Sequence, residues 1–295
     1  MARVWYAFAL LLLAIPSAVP AQPVETEIPG VTAELLELRQ HEGVLRLAVR
    51  FVNTAPKEVP SGTAAIQFAD VTLVDLDGRT KYSAAKGPDG RFLAGPMSDD
   101  DTGGRWWIAL PAKSEAILWM LFAPLPAGSV VSVQMPHMFP FENVRVTEGP
   151  SEVFSSTTAR STPTGANATL VSAVRTKAGD VRVRLRIERV PGAFAGPAVL
   201  YRDAMLLRLA EKETYSVLQD TSGNFVAQPI TDQGDGGRFW LHTLAVGRTA
   251  LMSLTFSGPP DPVSTADLLI PWFVPMTGIK IVNEAMPKAP GASRP

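Results

Sequence analysis

The 295-residue chain contains no cysteine. It therefore has no disulfide, no thiolate nucleophile, no zinc–thiolate site and no lipid-modified cysteine anchor. Exported domains of eukaryotes commonly carry disulfides, so their absence favours a bacterial protein. The three histidines, His41, His137 and His242, show no metal-binding spacing, and we expect surface or structural roles for them. The sequence thus predicts no metal site and no cofactor.

An excess of charge of one sign is also missing, because 27 Lys and Arg balance 28 Asp and Glu to give a formal net charge of −1. This balance gives no electrostatic reason to expect nucleic acid or anionic lipid as a partner. The GxSxG, HExxH, phosphate-loop and dinucleotide-binding motifs are absent as well. We therefore predict no catalytic residues and no enzyme activity.

Long hydrophobic runs are missing except near the N-terminus, where residues 1–21 have the pattern of a signal peptide. Arg3 precedes twelve apolar residues at 4–15, Pro16 ends the run, and small residues at Val19 and Ala21 favour cleavage before Gln22. A membrane-spanning helix needs about 20 apolar residues, so this run is short for an anchor. We predict an exported protein, periplasmic or extracellular, with no membrane span after cleavage. An uncleaved membrane tether is the alternative.

The chain also contains an internal duplication. Turn-forming and aromatic residues recur 133 positions downstream: Tyr82, Pro96, Gly103, Gly104, Arg105 and Trp107 match Tyr215, Pro229, Gly236, Gly237, Arg238 and Trp240. Later matches are 134 and 135 positions apart, as in Phe122 with Phe256 and Pro136 with Pro271. The predicted organisation is a leader (22–30), repeat one (31–147), an exposed linker (148–165), repeat two (166–285) and a disordered tail (286–295).

Within each repeat the apolar period is two, which is typical of strands with one buried and one wet face. In repeat one Leu45, Leu47, Val49 and Phe51 form such a row, and in repeat two Val181, Val183, Leu185 and Ile187 do. Further strands are predicted at 71–75, 80–84, 105–110, 116–122 and 130–135, with a hairpin at Asp77-Gly78. About seven short strands per repeat predict an all-β protein of two tandem immunoglobulin-like β-sandwiches. The linker would let them move independently unless their surfaces dock.

The sharpest duplicated motif is GGRWW at 103–107, which recurs as GGRFW at 236–240. Successive strand residues face opposite sides, and since Trp107 and Trp240 are the identical pair, we predict that these two lie in the cores. The motif has two interpretations. It is either structural, or it presents an exposed recognition strip whose candidate binding residues are Arg105, Trp106, Arg238 and Phe239.

Two charged features also invite a functional interpretation. The acidic residues in 98–101 are of the type that binds calcium, but consecutive side chains cannot all face one ion, and repeat two keeps only Asp232 and Asp235. We expect a solvated loop. Arg182, Arg184 and Arg186 lie on one strand face, which either opposes aggregation or binds an acidic partner or polyanion.

The order of these motifs resembles a known kind of domain. VTLVDLDGRTKY at 71–82, the apolar strand ILWMLF at 117–122, PLPAGSVVSVQMP at 124–136 and PFENVRV at 140–146 are similar to the immunoglobulin-like domain of some bacterial outer-membrane-protein-A-type envelope proteins. Most of repeat one carries the resemblance, whereas repeat two retains Tyr215, Pro271 and Pro275. Such proteins hold the cell wall through a C-terminal α/β domain, for which this chain has no matching segment. The resemblance therefore implies neither peptidoglycan anchoring nor a catalytic residue.

These observations predict a non-catalytic exported protein that binds or supports another envelope protein or polymer. One alternative is a periplasmic chaperone similar to those of pilus assembly, which grip a subunit carboxylate with an Arg and a Lys between two domains. A glycan-acting enzyme is a further alternative, but it needs two carboxylates in one site. Asp70 and Asp203 are duplicated with one in each repeat, so they do not readily meet. The sequence predicts no oligomeric state.

Overall fold

The computed structural model describes residues 23–75, 78–96, 104–162, 165–191, 198–209, 211–229, 237–240 and 243–284. The predicted signal peptide, the acidic loop at 98–101 and the predicted tail lie outside these residues. Regular structure in the described residues is all β, apart from two single-turn 3-10 segments at Phe68–Asp70 and Tyr201–Asp203. The sheets form two sets of three with similar layouts. The all-β class and the duplication are thus confirmed.

The first set contains twelve strands. They are Val24–Glu25 (β1), Val31–His41 (β2), Val44–Asn53 (β3), Ala65–Gln67 (β4), Thr72–Asp75 (β5), Thr80–Ser83 (β6), Ala94–Gly95 (β7), Arg105–Trp107 (β8), Glu115–Phe122 (β9), Val130–Gln134 (β10), Phe141–Arg145 (β11) and Thr147–Glu148 (β12).

The second set repeats this succession. Its strands are Thr158–Arg160 (β13), Ala166–Arg175 (β14), Val181–Arg189 (β15), Ala198–Leu200 (β16), Met205–Arg208 (β17), Glu213–Ser216 (β18), Ala227–Gln228 (β19), Arg238–Trp240 (β20), Thr249–Phe256 (β21), Thr265–Leu269 (β22), Met276–Lys280 (β23) and Val282–Asn283 (β24). The offset between equivalent strands is 133 for β5 and β17, 134 for β9 and β21, and 135 for β10 and β22, as the sequence matches predict.

Sheet topology is the same in both repeats. The large sheet has the order β1-β2-β3-β9-β7 in repeat one and β13-β14-β15-β21-β19 in repeat two. The second sheet has the order β11-β10-β5-β6 and its counterpart β23-β22-β17-β18, while β4-β8 and β16-β20 form two-stranded sheets. Even a bulge recurs, because the register shifts between Leu35 and Glu37 and again between Leu170 and Ser172. A bulge is a specific feature of a strand pair, so its recurrence at the equivalent place extends the similarity of the two copies to local backbone detail.

Each repeat has its own hydrophobic core between its sheets. The predicted apolar rows of β3 and β15 are fully buried there, with the strands of the second sheet contributing the opposite wall. The predicted β5–β6 hairpin is present, with Leu73 paired to Tyr82. Asp75 pairs with Thr80, so four residues lie between the paired positions, and Arg79 at φ 49° carries a left-handed conformation.

Two boundary predictions are wrong. The predicted leader contains β1, which pairs with β2, and the predicted exposed linker contains β13, the equivalent strand of repeat two. Phe154 within that linker is only 2% exposed. Its neighbours are held on both sides, since Ser151 donates a hydrogen bond to Glu37 of repeat one and Thr277 of repeat two donates one to the Phe154 carbonyl. The segment is therefore part of the folded structure.

Candidate functional site

Arg105–Trp107 and Arg238–Trp240 of the duplicated motifs form the short strands β8 and β20, and the predicted orientation of the first is wrong. Trp106 is 2% exposed and its ring contacts Phe51 edge-on at a centroid distance of 5.3 Å, inside the core of repeat one. Trp107 is half-buried, with the Arg105 guanidinium 5.1 Å from its ring. The reason is the pairing of β8 with β4, which puts Trp106 beside the fully buried Ile66.

Repeat two repeats this arrangement, since Phe239 is 4% exposed and belongs to the second core. The side chain of Trp240 lies outside the described residues. Two of the four candidate binding residues, Trp106 and Phe239, thus fill separate cores, while Arg105 and Arg238 are half-buried. The four do not form an exposed recognition strip. The sequence prediction chose Trp107 for the core because the same residue recurs as Trp240. The buried position is instead the preceding one, which is Trp106 in repeat one and Phe239 in repeat two, so identity between the copies was a misleading criterion.

The two repeats contact each other through a third hydrophobic cluster, which we call the inter-repeat interface. Repeat one contributes the outer face of its large sheet, and repeat two contributes its second sheet and the following turn. The buried members are Val44, Ala48, Leu93, Ile117, Trp119, Leu121, Phe154, Leu207, Leu269 and Val274. Removing this apolar surface from water stabilises the docked arrangement. The two sandwiches are therefore packed together rather than separated by a free linker.

Arg46 and Asp267 form an ion pair across this interface, with 3.5 Å between guanidinium and carboxylate and side-chain exposures of 1% and 10%. Arg46 also donates to the His41 carbonyl, and Asp267 accepts a hydrogen bond from the Gly278 amide. Burial raises the pKa of Asp267, although the Arg46 charge opposes this rise. Arg46 belongs to the predicted wet face of β3, and that prediction is wrong because repeat two covers it.

A second ion pair joins the repeats at Asp203, the residue that the duplication pairs with Asp70. Its carboxylate accepts a 2.7 Å hydrogen bond from Arg91 of repeat one. Asp203 and Asp70 each end an equivalent 3-10 turn. The contact to Arg91 gives Asp203 a role in docking the repeats.

A groove of about 480 Å³ runs along the interface beside the Arg46–Asp267 pair. Glu42, Arg208 and Glu211 also line it. Arg208 is held by Glu211 and Glu213 at 2.7 and 2.8 Å, and Arg46 by Asp267. The groove therefore offers polar atoms that are largely engaged with one another.

The outer face of the large sheet of repeat two has a different character. Arg182, Arg184 and Arg186 are exposed and alternate with buried apolar residues, which confirms the predicted alternation of β15. Within the described residues, repeat one leaves these side chains exposed. This face is the second candidate surface for a partner.

The histidines and the other acidic residues considered in the sequence analysis do not come together as a catalytic or metal-binding group within the described residues. His137 contacts Glu27 at 2.8 Å and His41 lies 3.8 Å from Glu42, while His242, Asp232 and Asp235 lie outside the description. Within the described ranges no group of three or more His, Asp or Glu side chains is arranged to hold a metal ion. Nor does that part of the chain include a helix long and apolar enough to cross a membrane.

Sequence reasoning missed the inter-repeat interface, although one signal pointed to it. Residues 116–122 are all apolar, a composition typical of strands buried on both faces. In repeat two the equivalent outward positions of Trp119 and Leu121 are Ser253 and Thr255. Comparing the two copies at outward positions would have located the surface.

Comparison with protein-family models and with curated protein sequences finds no match for the chain.

Proposed function

We propose that this protein is a non-catalytic exported component of a bacterial envelope, in which two immunoglobulin-like sandwiches act as one body that binds or supports another envelope component. The observation that carries the proposal is the inter-repeat interface. It joins ten buried apolar residues with the pairs Arg46–Asp267 and Arg91–Asp203. A body of this kind holds its remaining faces at fixed positions, as a binding or structural module requires.

The proposed location rests on the signal-peptide pattern at residues 1–21 and on the absence of cysteine. N-terminal sequencing of the mature protein after cell fractionation tests it. We expect the mature chain to begin at Gln22 in an envelope or extracellular fraction. A cytoplasmic protein that retains residues 1–21 would contradict the proposed location.

Crosslinking in the producing cells tests the binding role. An amine-reactive reagent that joins the exposed Lys81 and other lysines to neighbouring proteins should yield a reproducible adduct with another envelope component. Recovery of the uncrosslinked chain alone under several growth conditions would count against a binding role.

The two alternative functions find less support in the geometry. A chaperone cleft needs unpaired cations for a subunit carboxylate, whereas Arg46 and Arg208 are already engaged by carboxylates. A glycan-acting enzyme needs two carboxylates in one site, and Asp203 is instead held by Arg91. Turnover of an envelope polymer by the purified protein, abolished by a single Asp or Glu substitution, would overturn the non-catalytic proposal.

A further inference from the structure

The large sheets of the two repeats are equivalent, but only one of them is covered. In repeat one the outer face of β3 and β9 is buried by repeat two, as described above. The equivalent face of repeat two, formed by β14, β15 and β21, is open. We call it the arginine face. It is defined by Arg182, Arg184 and Arg186 together with the neighbouring Leu251 and Ser253.

The arginine face exposes apolar side chains at positions that are covered in repeat one. Leu251 is 72% exposed, Val171 54% and Val226 42%. By strand equivalence these residues occupy the places of Ile117, Leu36 and Leu93, which all belong to the inter-repeat interface. Leu251 is paired with Arg186 in the sheet register, so apolar and basic groups are adjacent on this face.

The arginines of this face have lost the acidic neighbours that repeat one provides. Arg50, the counterpart of Arg186, is bound by Glu34 and Glu115. The positions equivalent to these two glutamates hold Thr169 and Thr249. A third glutamate, Glu37, corresponds to Ser172, which is paired with Arg184.

The residue of repeat one that is equivalent to Arg182 is Arg46, and it is paired in a different way from Arg50. Arg46 finds its carboxylate, Asp267, on the surface that covers repeat one. Among the described residues none of Arg182, Arg184 and Arg186 forms an ion pair, and the one acidic side chain on the exposed face of β15 is Glu188, beyond the end of the arginine row. Alternate residues of a strand are about 6.6–6.8 Å apart, a separation that suits successive carboxylates on a protein surface.

We propose that the arginine face is a docking surface for an acidic protein, whose carboxylates pair with Arg182, Arg184 and Arg186 and whose apolar residues cover Leu251, Val171 and Val226. This inference rests on the proposed binding function and names its surface. Exposed apolar groups set among arginines are typical of protein interfaces, whereas a polyanion offers no apolar surface to cover them. The equivalent face of repeat one is already covered in this way, because the second sheet of repeat two packs on it and pairs Asp267 with Arg46.

A second copy of the chain is less suited to this face. In repeat one the position equivalent to Asp267 is Ser132, so a second copy would present no carboxylate there. The exposed charged residues of that sheet are Lys81, Glu142 and Arg145. Two of these three are basic, and juxtaposed like charges oppose association with the arginines.

Site-specific photocrosslinking in the producing cells tests the proposal. A benzophenone amino acid at Ser253, in the middle of the arginine face, is compared with one at Thr80 on the β6 strand of repeat one. We expect the Ser253 position to give an adduct with one protein, and the crosslinked peptide to contain several Asp or Glu residues. Arg184→Glu should lower the yield about tenfold or more. The matched control Arg145→Glu, an exposed arginine of repeat one, should leave it unchanged.

A charge exchange makes the test stringent. Once the adduct identifies the partner residues, Asp or Glu→Arg in the partner should restore binding to Arg184→Glu, and Arg186→Glu provides an independent second variant. Failure of the exchange, or an adduct that tolerates both arginine variants, would overturn the proposal. So would an adduct with a second copy of the chain.

The other binding classes are separated by defined probes. Purified protein is titrated with heparin and, separately, with phosphatidylglycerol vesicles at increasing salt. Arginine-dependent binding to either probe without a protein adduct would replace the acidic protein by a polyanion or a lipid surface. Adducts from Thr80 without adducts from Ser253 would refute the arginine face but keep the binding function, whereas no adduct from any position would count against both.

Discussion

At the scale of single residues, the interface depends on one tryptophan and the glycine that makes room for it. Trp119 lies on the outward side of β9 and is 5% exposed. A Cβ atom on Gly95 would lie 2.7 Å from the Trp119 ring, closer than side-chain carbons approach one another. Repeat two has Gln228 and Ser253 at the equivalent positions. Glycine is thus found next to the outward tryptophan only in the repeat whose outer face is covered, where the ring needs the space.

We expect Gly95→Ala to destabilise the protein by about 1–3 kcal/mol, because the added methyl group forces Trp119 from its place. In a Trp119→Ser background, which reproduces the residue of repeat two, the same substitution should cost much less. Chemical denaturation of the four proteins measures this coupling. Equal costs in both backgrounds would show that Gly95 and Trp119 act independently.

The two neighbouring tryptophans of β8 provide a second prediction. Trp106→Ala removes a buried ring and should cost about 3–5 kcal/mol, a large share of the stability of a domain. Trp107→Ala removes a half-buried ring and should cost clearly less. Thermal unfolding of both variants decides the matter. A larger loss of stability for Trp107→Ala than for Trp106→Ala would contradict the orientation of β8, in which Trp106 faces the core.

At the scale of elements, much of the structure follows from the sequence. The period of two located β3 and β15, and the drift of the offset from 133 to 135 anticipated the spacing of equivalent strands. What the sequence did not reveal was which faces are covered. Arg46 and Arg182 both alternate with apolar residues, yet one is 1% exposed and the other is exposed to solvent. The difference comes from tertiary contacts that periodicity does not encode.

The buried Arg46–Asp267 pair yields a prediction at this scale. Arg46→Met leaves the Asp267 carboxylate without its counter-charge and should cost about 3–5 kcal/mol at neutral pH. The double variant Arg46→Met, Asp267→Leu removes both charges and should recover most of this loss. Equilibrium unfolding of the single and double variants checks it. A double variant as unstable as Arg46→Met would mean that the loss comes from packing alone.

The pH dependence of that loss has a definite sign. Burial raises the pKa of Asp267 from its ordinary value of 3.8, and the Arg46 charge opposes the rise. Without Arg46 the folded state therefore holds the proton to still higher pH than the unfolded state does. Stability of Arg46→Met should fall as pH rises above about 4, so its deficit relative to the parent should grow from acid to neutral pH. If the difference in stability between the parent and Arg46→Met became smaller from acid to neutral pH, the proposed loss of the counter-charge of Asp267 would be contradicted.

At the scale of the whole molecule, the duplication has produced two similar halves with unequal surroundings. The large sheet of repeat one is covered on its outer side by the second sheet of repeat two, while the large sheet of repeat two keeps its outer side open. Such head-to-tail contact uses different surfaces of the two copies. The sequence left independent movement and docking open, and the structure shows docking, which leaves the outer faces of the two large sheets in different surroundings.

The central claim is that the two repeats form one body, and a distance measurement tests it most directly. Because the chain contains no cysteine, Ser83→Cys and Thr249→Cys place spin labels at one exposed position in each repeat and nowhere else. As a control, Trp119→Glu with Leu207→Glu puts charges into the inter-repeat interface. We expect double electron–electron resonance to give a single narrow distance distribution for the labelled parent and a broad one for the control. A free linker of the 18 residues at 148–165 would have a root-mean-square end-to-end distance of about 21–25 Å and a wide range of distances around it, and a comparably broad distribution in the parent would contradict the docked structure.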